Sequence, residues 1–467
     1  MTFELTIDGA GETTATFIDI VDPSTGAVTA RAPCAGAAEL DRAVAAARRA
    51  FPAWRETPPD ERRRLVGGLG DILAAHAEEL VALDILEGGK PHAVAAPVLD
   101  LAVQWVKALA TLEIPVRVLD DNPDRRVEVH HEPLGVVGAI APWNFPVFLS
   151  VWKLASALIA GCTVVLKPSP LAPLAVLRMG SLIRDQFPKG VVNVLSGDDA
   201  LGPLMTAHEG FDKISFTGST ATGRKVMESA APTLKRLTLE LGGNDAALVF
   251  PDVSLDAVAP ALFWSAMGNS GQVCIATKRI YVHDDIYDDF IRAMRLQIDA
   301  TTMGPGGQPG AMLGPIQNAP QFQRLQSLLA DCRANAYKLH QGTAPDGNGY
   351  FIPATLVENP PHDSRIVREE QFGPILPIVR FSTEDEAIAL ANDSPMGLTA
   401  TVWTQDMARA RRVAQRLQSG NVWINEASAL SPFVPFGGRK QSGVGVENAL
   451  DGILEYTAVK AITVRTA

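Results

Sequence analysis

Gly135-Val-Val-Gly-Ala-Ile-Ala141, followed at once by Pro142-Trp-Asn-Phe-Pro146 and an apolar run to Ala160, decides how this chain folds. Apolar residues fill both alternating positions of the first segment, which predicts a strand covered on both faces. Pro142-Trp-Asn-Phe-Pro146 reads as a strand-to-helix corner, because asparagine and proline favour turns, and a helix over 145–160 follows. The same alternation continues outward. Thr163-Val-Val-Leu166 predicts a second strand, with a helix running through Leu182 and Ile183. Val191-Val-Asn-Val-Leu195 and Lys213-Ile-Ser-Phe216 predict a third and a fourth, the last leading into a helix near Arg224. Strands alternating with helices at this spacing predict an open, parallel α/β sheet whose crossover helices cover both faces.

A second α/β unit is expected after Gly243, with strands at Ala246-Ala-Leu-Val-Phe250, Arg279-Ile-Tyr-Val-His283, Gly397-Leu-Thr-Ala-Thr-Val-Trp403 and Asn421-Val-Trp-Ile-Asn425. Two segments fit neither unit. Arg125-Arg-Val-Glu-Val-His-His131 and Ala461-Ile-Thr-Val-Arg465 both alternate in the manner of exposed strands. Such ribbons, remote in sequence, can pair and leave an edge for another subunit. Gly304-Pro-Gly-Gly-Gln-Pro-Gly310 is a turn-rich loop.

At 467 residues the chain is long enough for two or three domains, and 47% hydrophobic with 20% charged residues is ordinary for a globular protein. A net charge of −11 argues against a nucleic-acid partner, since no basic surplus offsets phosphate repulsion. The densest basic run, Arg62-Arg63-Arg64, follows Pro58-Pro-Asp-Glu61 and is expected on the solvated first turns of a helix. Met1-Thr-Phe-Glu-Leu lacks the basic-then-apolar pattern of a secretory signal. The apolar stretch from Leu134 to Leu166 is broken by Pro142, Asn144, Pro146 and Lys153, so it is expected in a core rather than a membrane. Cys34, Cys162, Cys274 and Cys332 show no CxxC spacing and read as reduced cytoplasmic thiols. His130 and His131 are neighbours on one strand and point to opposite faces. With no HExxH and no His/Cys cluster, no metal is expected.

Chemistry concentrates in Asn269-Ser-Gly-Gln-Val-Cys274-Ile-Ala-Thr-Lys-Arg279. It places a cysteine in a small, polar, glycine-containing loop after the apolar run Ala261-Leu-Phe-Trp-Ser-Ala-Met267. By itself this loop fits a nucleophilic thiol and a buried small hydrophobe equally well. Pro142-Trp-Asn-Phe-Pro146 and Leu239-Glu-Leu-Gly-Gly-Asn244 shift the balance. With the cysteine loop they resemble the aldehyde dehydrogenase superfamily, in the expected order, and the likeness runs from Asp22-Pro-Ser-Thr-Gly26 to Lys460. The resemblance implies two open doubly wound α/β domains and a small β arm. A Rossmann-like cofactor domain would cover 1–114 and 134–242, a catalytic domain 243–441, and an oligomerisation arm 115–133 and 455–467.

Oxidising an aldehyde by hydride loss requires a tetrahedral adduct, which a thiolate supplies as a thiohemiacetal. Donors aimed at its oxygen lower the barrier, typically by about 3–4 kcal/mol for one side chain. The thioester left behind needs an activated water. The resemblance assigns the thiol to Cys274, the amide donor to Asn144 and the base to Glu240. Taken alone, Asn144 reads as a turn residue. Glu240 ends an apolar strand, where a carboxylate is costly unless functional or paired, for instance with Lys235 or Arg236. Relatives that pass the acyl group to coenzyme A lack this glutamate, so its presence favours hydrolysis.

Phe216-Thr-Gly-Ser-Thr-Ala-Thr-Gly-Arg-Lys225 is a glycine-rich strand-to-helix turn suited to a pyrophosphate. It is not a Walker loop, because Arg224-Lys225 stands where lysine and then serine or threonine are required. The family's variant turn matches Gly218, Ser219 and Gly223. By the same resemblance Lys167 holds the adenine ribose, Glu370 the other ribose, and Phe372 lies against the nicotinamide, with Ile140, Trp143 and Leu241 also on the cofactor. Without the likeness, Lys167 reads as a solvated strand end and Glu369-Glu370 as surface charge. By the resemblance Lys153 and Glu447 match a pair behind the reacting groups that relays protons, although both residue types are ordinarily on the surface. Phe145, Leu149, Trp152, Leu430 and Phe436 match a tunnel whose walls favour aromatic or medium-chain, uncharged aldehydes.

One position departs from the pattern. Most relatives place a glutamate after Lys-Pro-Ser, and this chain has Pro170. A proline neither accepts from a ribose 2′-hydroxyl nor repels a 2′-phosphate, so NAD is expected as preferred cofactor with NADP also accepted. The whole predicts a cytoplasmic homodimer or homotetramer that oxidises aldehydes to acids. The alternatives are a coenzyme A-acylating relative and a non-catalytic structural or binding member. Retention of Asn144, Glu240 and Cys274 together counts against the last.

Overall fold

Two mostly parallel sheets dominate the computed structural model, which describes residues 2–465. Met1 and the last two positions of the expected 455–467 segment lie outside the described residues. In spatial order the centre of the first sheet is Val192–Val194, Thr163–Lys167, Val136–Ile140, Lys213–Thr217 and Arg236–Glu240, all parallel. Antiparallel strands flank it, Leu5–Ile7 with Ala10–Glu12 on one side and Gly443–Val444 on the other. The chain winds outward from Val136–Ile140 in one direction, then returns to begin again with Lys213–Thr217 on its other side. That reversal is a topological switch point, where ligands bind beyond the carboxyl ends of the strands. Every residue of helix Pro146–Ala160 is buried, because the helix is packed between the sheet and helix His92–Leu109.

The second sheet runs Lys338–Gln341, Thr355–Glu358, Ile375–Phe381, Thr277–His283, Asp245–Val249, Thr399–Trp403 and Asn421–Ile424. All its neighbours are parallel except the first pair. The four expected strands are present. Ile375–Phe381, the apolar strand that follows Glu369-Glu370, joins them, together with Lys338–Gln341 and Thr355–Glu358, for which no strand was expected. Residues 442–454, beyond the expected catalytic segment, fold back onto the first sheet. Gly443–Val444 pairs with Leu239 and Glu240, and helix Ala449–Leu454 packs on helix Pro146–Ala160.

The two remote ribbons pair as expected. Thr457–Arg465 runs antiparallel to Arg125–Pro133 along its whole length, and Arg117–Asp121 adds a third strand. Val118, Leu119, Val459, Ile462 and Val464 stay exposed on it.

The expectation for Arg62 is corrected. Arg63 and Arg64 form ion pairs on helix Pro59–Ala75, but Arg62 is buried and donates to the carbonyls of Arg55, Thr57 and Ile159. Those carbonyls lie at the carboxyl ends of two helices, where acceptors have no intrahelical donor and a cation is favoured. Among the described residues no helix is long and apolar enough to cross a membrane, and no cluster of His, Cys, Asp or Glu could hold a metal.

Candidate active site

The switch point gathers the expected residues, because the carboxyl ends of adjacent parallel strands point the same way. Ile140 ends one strand and leads to Asn144, Lys167 ends the next, Thr217 leads to Gly218 and Ser219, and Glu240 ends the fourth. Asn144 is buried in the corner before helix Pro146–Ala160, and its Nδ2 donates to the Gln272 carbonyl at 3.0 Å. That bond ties the corner to the cysteine loop of the other domain.

The loop is conformationally costly. Asn269, Ser270 and Gly271 have φ of 51°, 54° and 72°, and the left-handed region costs roughly 1–2 kcal/mol for each non-glycine residue. Downstream, Lys278 Nζ donates to the Val273 and Cys274 carbonyls at 2.8 and 2.7 Å. Cys274 is half-buried and faces a cavity of about 160 Å³. All five expected wall residues line it, Phe145, Leu149, Trp152, Leu430 and Phe436, and Glu240 and the Lys153–Glu447 pair line it as well. Val98, Leu101, Phe148, Thr217, Val273 and Ile275 also line it and were not singled out as wall residues in the sequence. Val98 and Leu101 lie one turn apart on helix His92–Leu109, so an apolar i, i+3 spacing was the available signal.

Burial sets the protonation of the reactive groups. Glu240 is buried and neither of its carboxyl oxygens has a hydrogen-bond partner. Its pKa is raised well above the usual carboxylate range, first by burial and then by the charge of Glu447, against an opposing pull from Lys153. No ion pair to Lys235 or Arg236 forms, since Lys235 bonds Thr233 and Arg236 is exposed. Burial also pushes the Cys274 thiol up to about 12, with Lys278 opposing and Glu240, Asp245 and Glu370 adding to the rise. Cys274 therefore rests as the thiol near pH 7, and burial holds Glu240 toward its protonated form. The expectation that Lys153 and Glu447 are surface residues is overturned. They are buried and paired at 2.8 Å, and Ser215 Oγ bonds both, at 3.0 and 3.1 Å. The second carboxyl oxygen of Glu447 has no partner.

On the opposite side of the strand ends lies the expected cofactor surface. Helix Thr220–Ala230 starts at Ser219, whose Oγ accepts from the Thr222 N–H. Gly223 lets this helix sit close to Leu241, because a Cβ there would lie 2.5 Å from Leu241 Cδ2. Phe372 packs edge-on against Trp143, with ring centroids 5.4 Å apart. Glu370 accepts from the Gly243 N–H at 3.0 Å and lies 3.6 Å from Lys278 Nζ, while burial raises its pKa. Lys167 decides whether the surface fits a dinucleotide. Its ammonium is buried, donates only to the Pro168 carbonyl at 3.3 Å, and is lowered to about 8 by burial, with Asp199 and Asp198 opposing. A buried cation with unused donors suits a ribose hydroxyl, so these residues fit the group. Pro170 follows in the loop before helix Leu174–Leu182 and offers no side-chain acceptor.

Comparison with known proteins agrees with this geometry. The Aldehyde dehydrogenase family profile matches residues 10–462. The chain is 43% identical over 431 residues to the putative aldehyde dehydrogenase FUS7 of Gibberella fujikuroi, covering 92% of each. It is 40% identical to a probable aldehyde dehydrogenase of a Pseudomonas species, covering 99% of this chain and 95% of that one. Among solved structures, betaine aldehyde dehydrogenase of Staphylococcus aureus in complex with NAD+ superposes with a TM-score of 0.95 at 33% identity, covering 100% and 95% of the two chains. PnpE in complex with nicotinamide adenine dinucleotide gives 0.96 at 37% identity, covering 100% and 98%. The chain belongs to the aldehyde dehydrogenase family and is an aldehyde oxidoreductase.

Proposed function

We propose that this enzyme oxidises an uncharged aromatic or medium-chain aldehyde to the free acid, with Cys274 as nucleophile, Asn144 as oxyanion donor and Glu240 as the base for hydrolysis. The observation that carries the proposal is one apolar cavity walled by both a half-buried thiol and an unpartnered buried carboxyl. Glu240, once ionised, takes the thiol proton as Cys274 Sγ bonds to the carbonyl carbon, and the C=O π pair moves onto the oxygen, which the second N–H of the Asn144 amide serves as charge develops. The enzyme is NAD(P)-dependent, as structural neighbours solved with NAD+ indicate, and the bound cofactor supplies the hydride acceptor. Lys167, Gly218, Ser219, Glu370 and Phe372, with Ile140, Trp143 and Leu241, are the residues we assign to hold it. Glu240 then takes a proton from water. A carboxyl whose proton affinity is raised by burial is the stronger base once ionised. We assign the free Glu447 oxygen, held beside Lys153, to relieve Glu240 of the thiol proton before it takes one from water.

The substrate class follows from the walls. An engineered apolar cavity of about 150 Å³ binds benzene, so this cavity of about 160 Å³ suits one aromatic ring or a medium chain of similar carbon number. Lys153 is the cation among the lining residues, and Glu447 neutralises it at 2.8 Å, so no clamp for a substrate carboxylate remains.

One absorbance assay of cofactor reduction tests substrate, acceptor and cofactor together. Benzaldehyde and hexanal should outperform a carboxylate-bearing semialdehyde, without coenzyme A. Strict dependence on coenzyme A, or a preference for the charged substrate, would overturn the proposal. With Pro170 in place of a carboxylate, NAD should be preferred while NADP remains measurable. Pro170→Glu should raise the NAD-to-NADP ratio of kcat/KM about ten- to a hundredfold, the worth of one charge-assisted hydrogen bond of about 1.5–3 kcal/mol. A wild type that rejects NADP outright, with no shift in the variant, would place selection elsewhere.

The domain division and the oligomerisation arm belong to the same proposal. The exposed valines, Leu119 and Ile462 of the three-stranded sheet suit a subunit contact in a homodimer or homotetramer. Deleting residues 459–467 should dissociate the oligomer, and a truncated chain that sediments as wild type would refute the arm. Four free thiols fit a reducing, cytoplasmic setting.

A further inference from the structure

We infer that Ser270 and Gln272 are positioning residues, which lock the Cys274 loop in its left-handed turn and hold the Asn144 amide in place. The inference rests on the roles proposed above for Cys274 and Asn144.

Asn269, Ser270 and Gly271 are consecutive left-handed residues, separated from the nucleophile by Gln272 and Val273. Glycine alone adopts that region freely, and a run of three persists only where its surroundings over-determine it. Here the surroundings are visible. Ser270 Oγ donates to the Gly314 carbonyl at 2.8 Å and accepts from the Gly314 N–H at 3.1 Å. Gln272 Nε2 donates to the carbonyls of Asn269 and Pro315 at 3.0 and 3.3 Å, and its Oε1 accepts from the Gln317 N–H at 2.9 Å. Both side chains are buried. From the other side Gly271 abuts Gly373, where a Cβ would lie 2.3 Å from the carbonyl oxygen. The loop is thus gripped between residues 314–317 and Gly373.

Gln272 also reaches the second catalytic group. Its own carbonyl accepts one of the two Asn144 amide hydrogens at 3.0 Å, which fixes that amide plane and leaves the other hydrogen for an oxyanion. Neither Ser270 nor Gln272 lines the cavity, so each acts through Cys274 or Asn144.

The test is an inverted order of substitution at one position, in the full chain. Ser270→Ala loses the hydroxyl and keeps the Cβ that the left-handed region penalises. Ser270→Gly loses the hydroxyl and the penalty together. Ser270→Ala should therefore lower kcat about tenfold, with the aldehyde KM within about threefold, while Ser270→Gly, relieved of the penalty, should lower kcat less, by about threefold. Gln272→Met, similar in length but without donor or acceptor, should lower kcat at least about tenfold and slow iodoacetamide alkylation of Cys274. A merely space-filling serine would give the opposite order, with glycine worse than alanine. That order, in variants shown to be folded by thermal melting, overturns the inference, as does wild-type kcat in Gln272→Met. If Gln272→Met does not fold, the Ser270 pair decides alone. An active Cys274→Ala protein would sink the nucleophile assignment instead, so the two failures are distinguishable.

Discussion

Cys274→Ala should abolish dehydrogenase activity, by roughly a thousandfold or more, while the protein folds and binds cofactor as before. The change removes one sulfur from a cavity wall. The hydrogen bonds that place the loop run through its backbone carbonyls and neighbouring side chains, which the substitution spares. No other thiol can substitute, because Cys162 and Cys332 are buried and do not line the cavity, and Cys34 lines a separate surface cleft. Alanine at Cys162 or Cys332 that inactivated a folded protein would sink the assignment. A pH signature accompanies it. Because burial raises the Cys274 pKa to about 12, the thiolate is a small fraction at pH 7 and grows about tenfold per pH unit below that value. Iodoacetamide alkylation of the cofactor-free enzyme should climb steadily from pH 7 to 9. A plateau within that range would mean a pKa lowered by its surroundings instead.

Glu240→Gln should separate the two halves of the reaction. Glutamine keeps the size of the side chain and cannot act as a base, so a stoichiometric burst of reduced cofactor should precede turnover slowed about 10²- to 10⁴-fold. Stability should hold or rise, because the substitution replaces a buried carboxyl that has no partner and faces the charge of Glu447. An unchanged steady-state rate would make Glu240 a structural residue.

The first sheet was legible because its strands are short apolar runs separated by proline and glycine corners, from Val136–Ile140 to Lys213–Thr217. The pairing of Arg125–Pro133 with Thr457–Arg465 was legible from alternation alone. Gly443–Val444 is too short to carry a pattern. Within the site, Cys274, Asn144 and Glu240 were visible only as motifs that resemble a family; no periodicity reveals that they converge. The Lys153–Glu447 pair spans 294 residues and has no local signal, which is why two charged residues in the core were expected on the surface. Arg62 escaped for a related reason. Its partners are helix-end carbonyls, and every helix has such ends, so the sequence does not say which cation will serve them.

The central claim is that an acyl group is carried on Cys274 and released by water. It is tested most directly by mass spectrometry of Glu240→Gln, quenched in acid after mixing with benzaldehyde and NAD+. The account predicts a species heavier than the free protein by the aldehyde less two hydrogens, located on the peptide that contains Cys274, in an amount equal to the burst. A burst with no adduct, or an adduct on a peptide lacking Cys274, would contradict it.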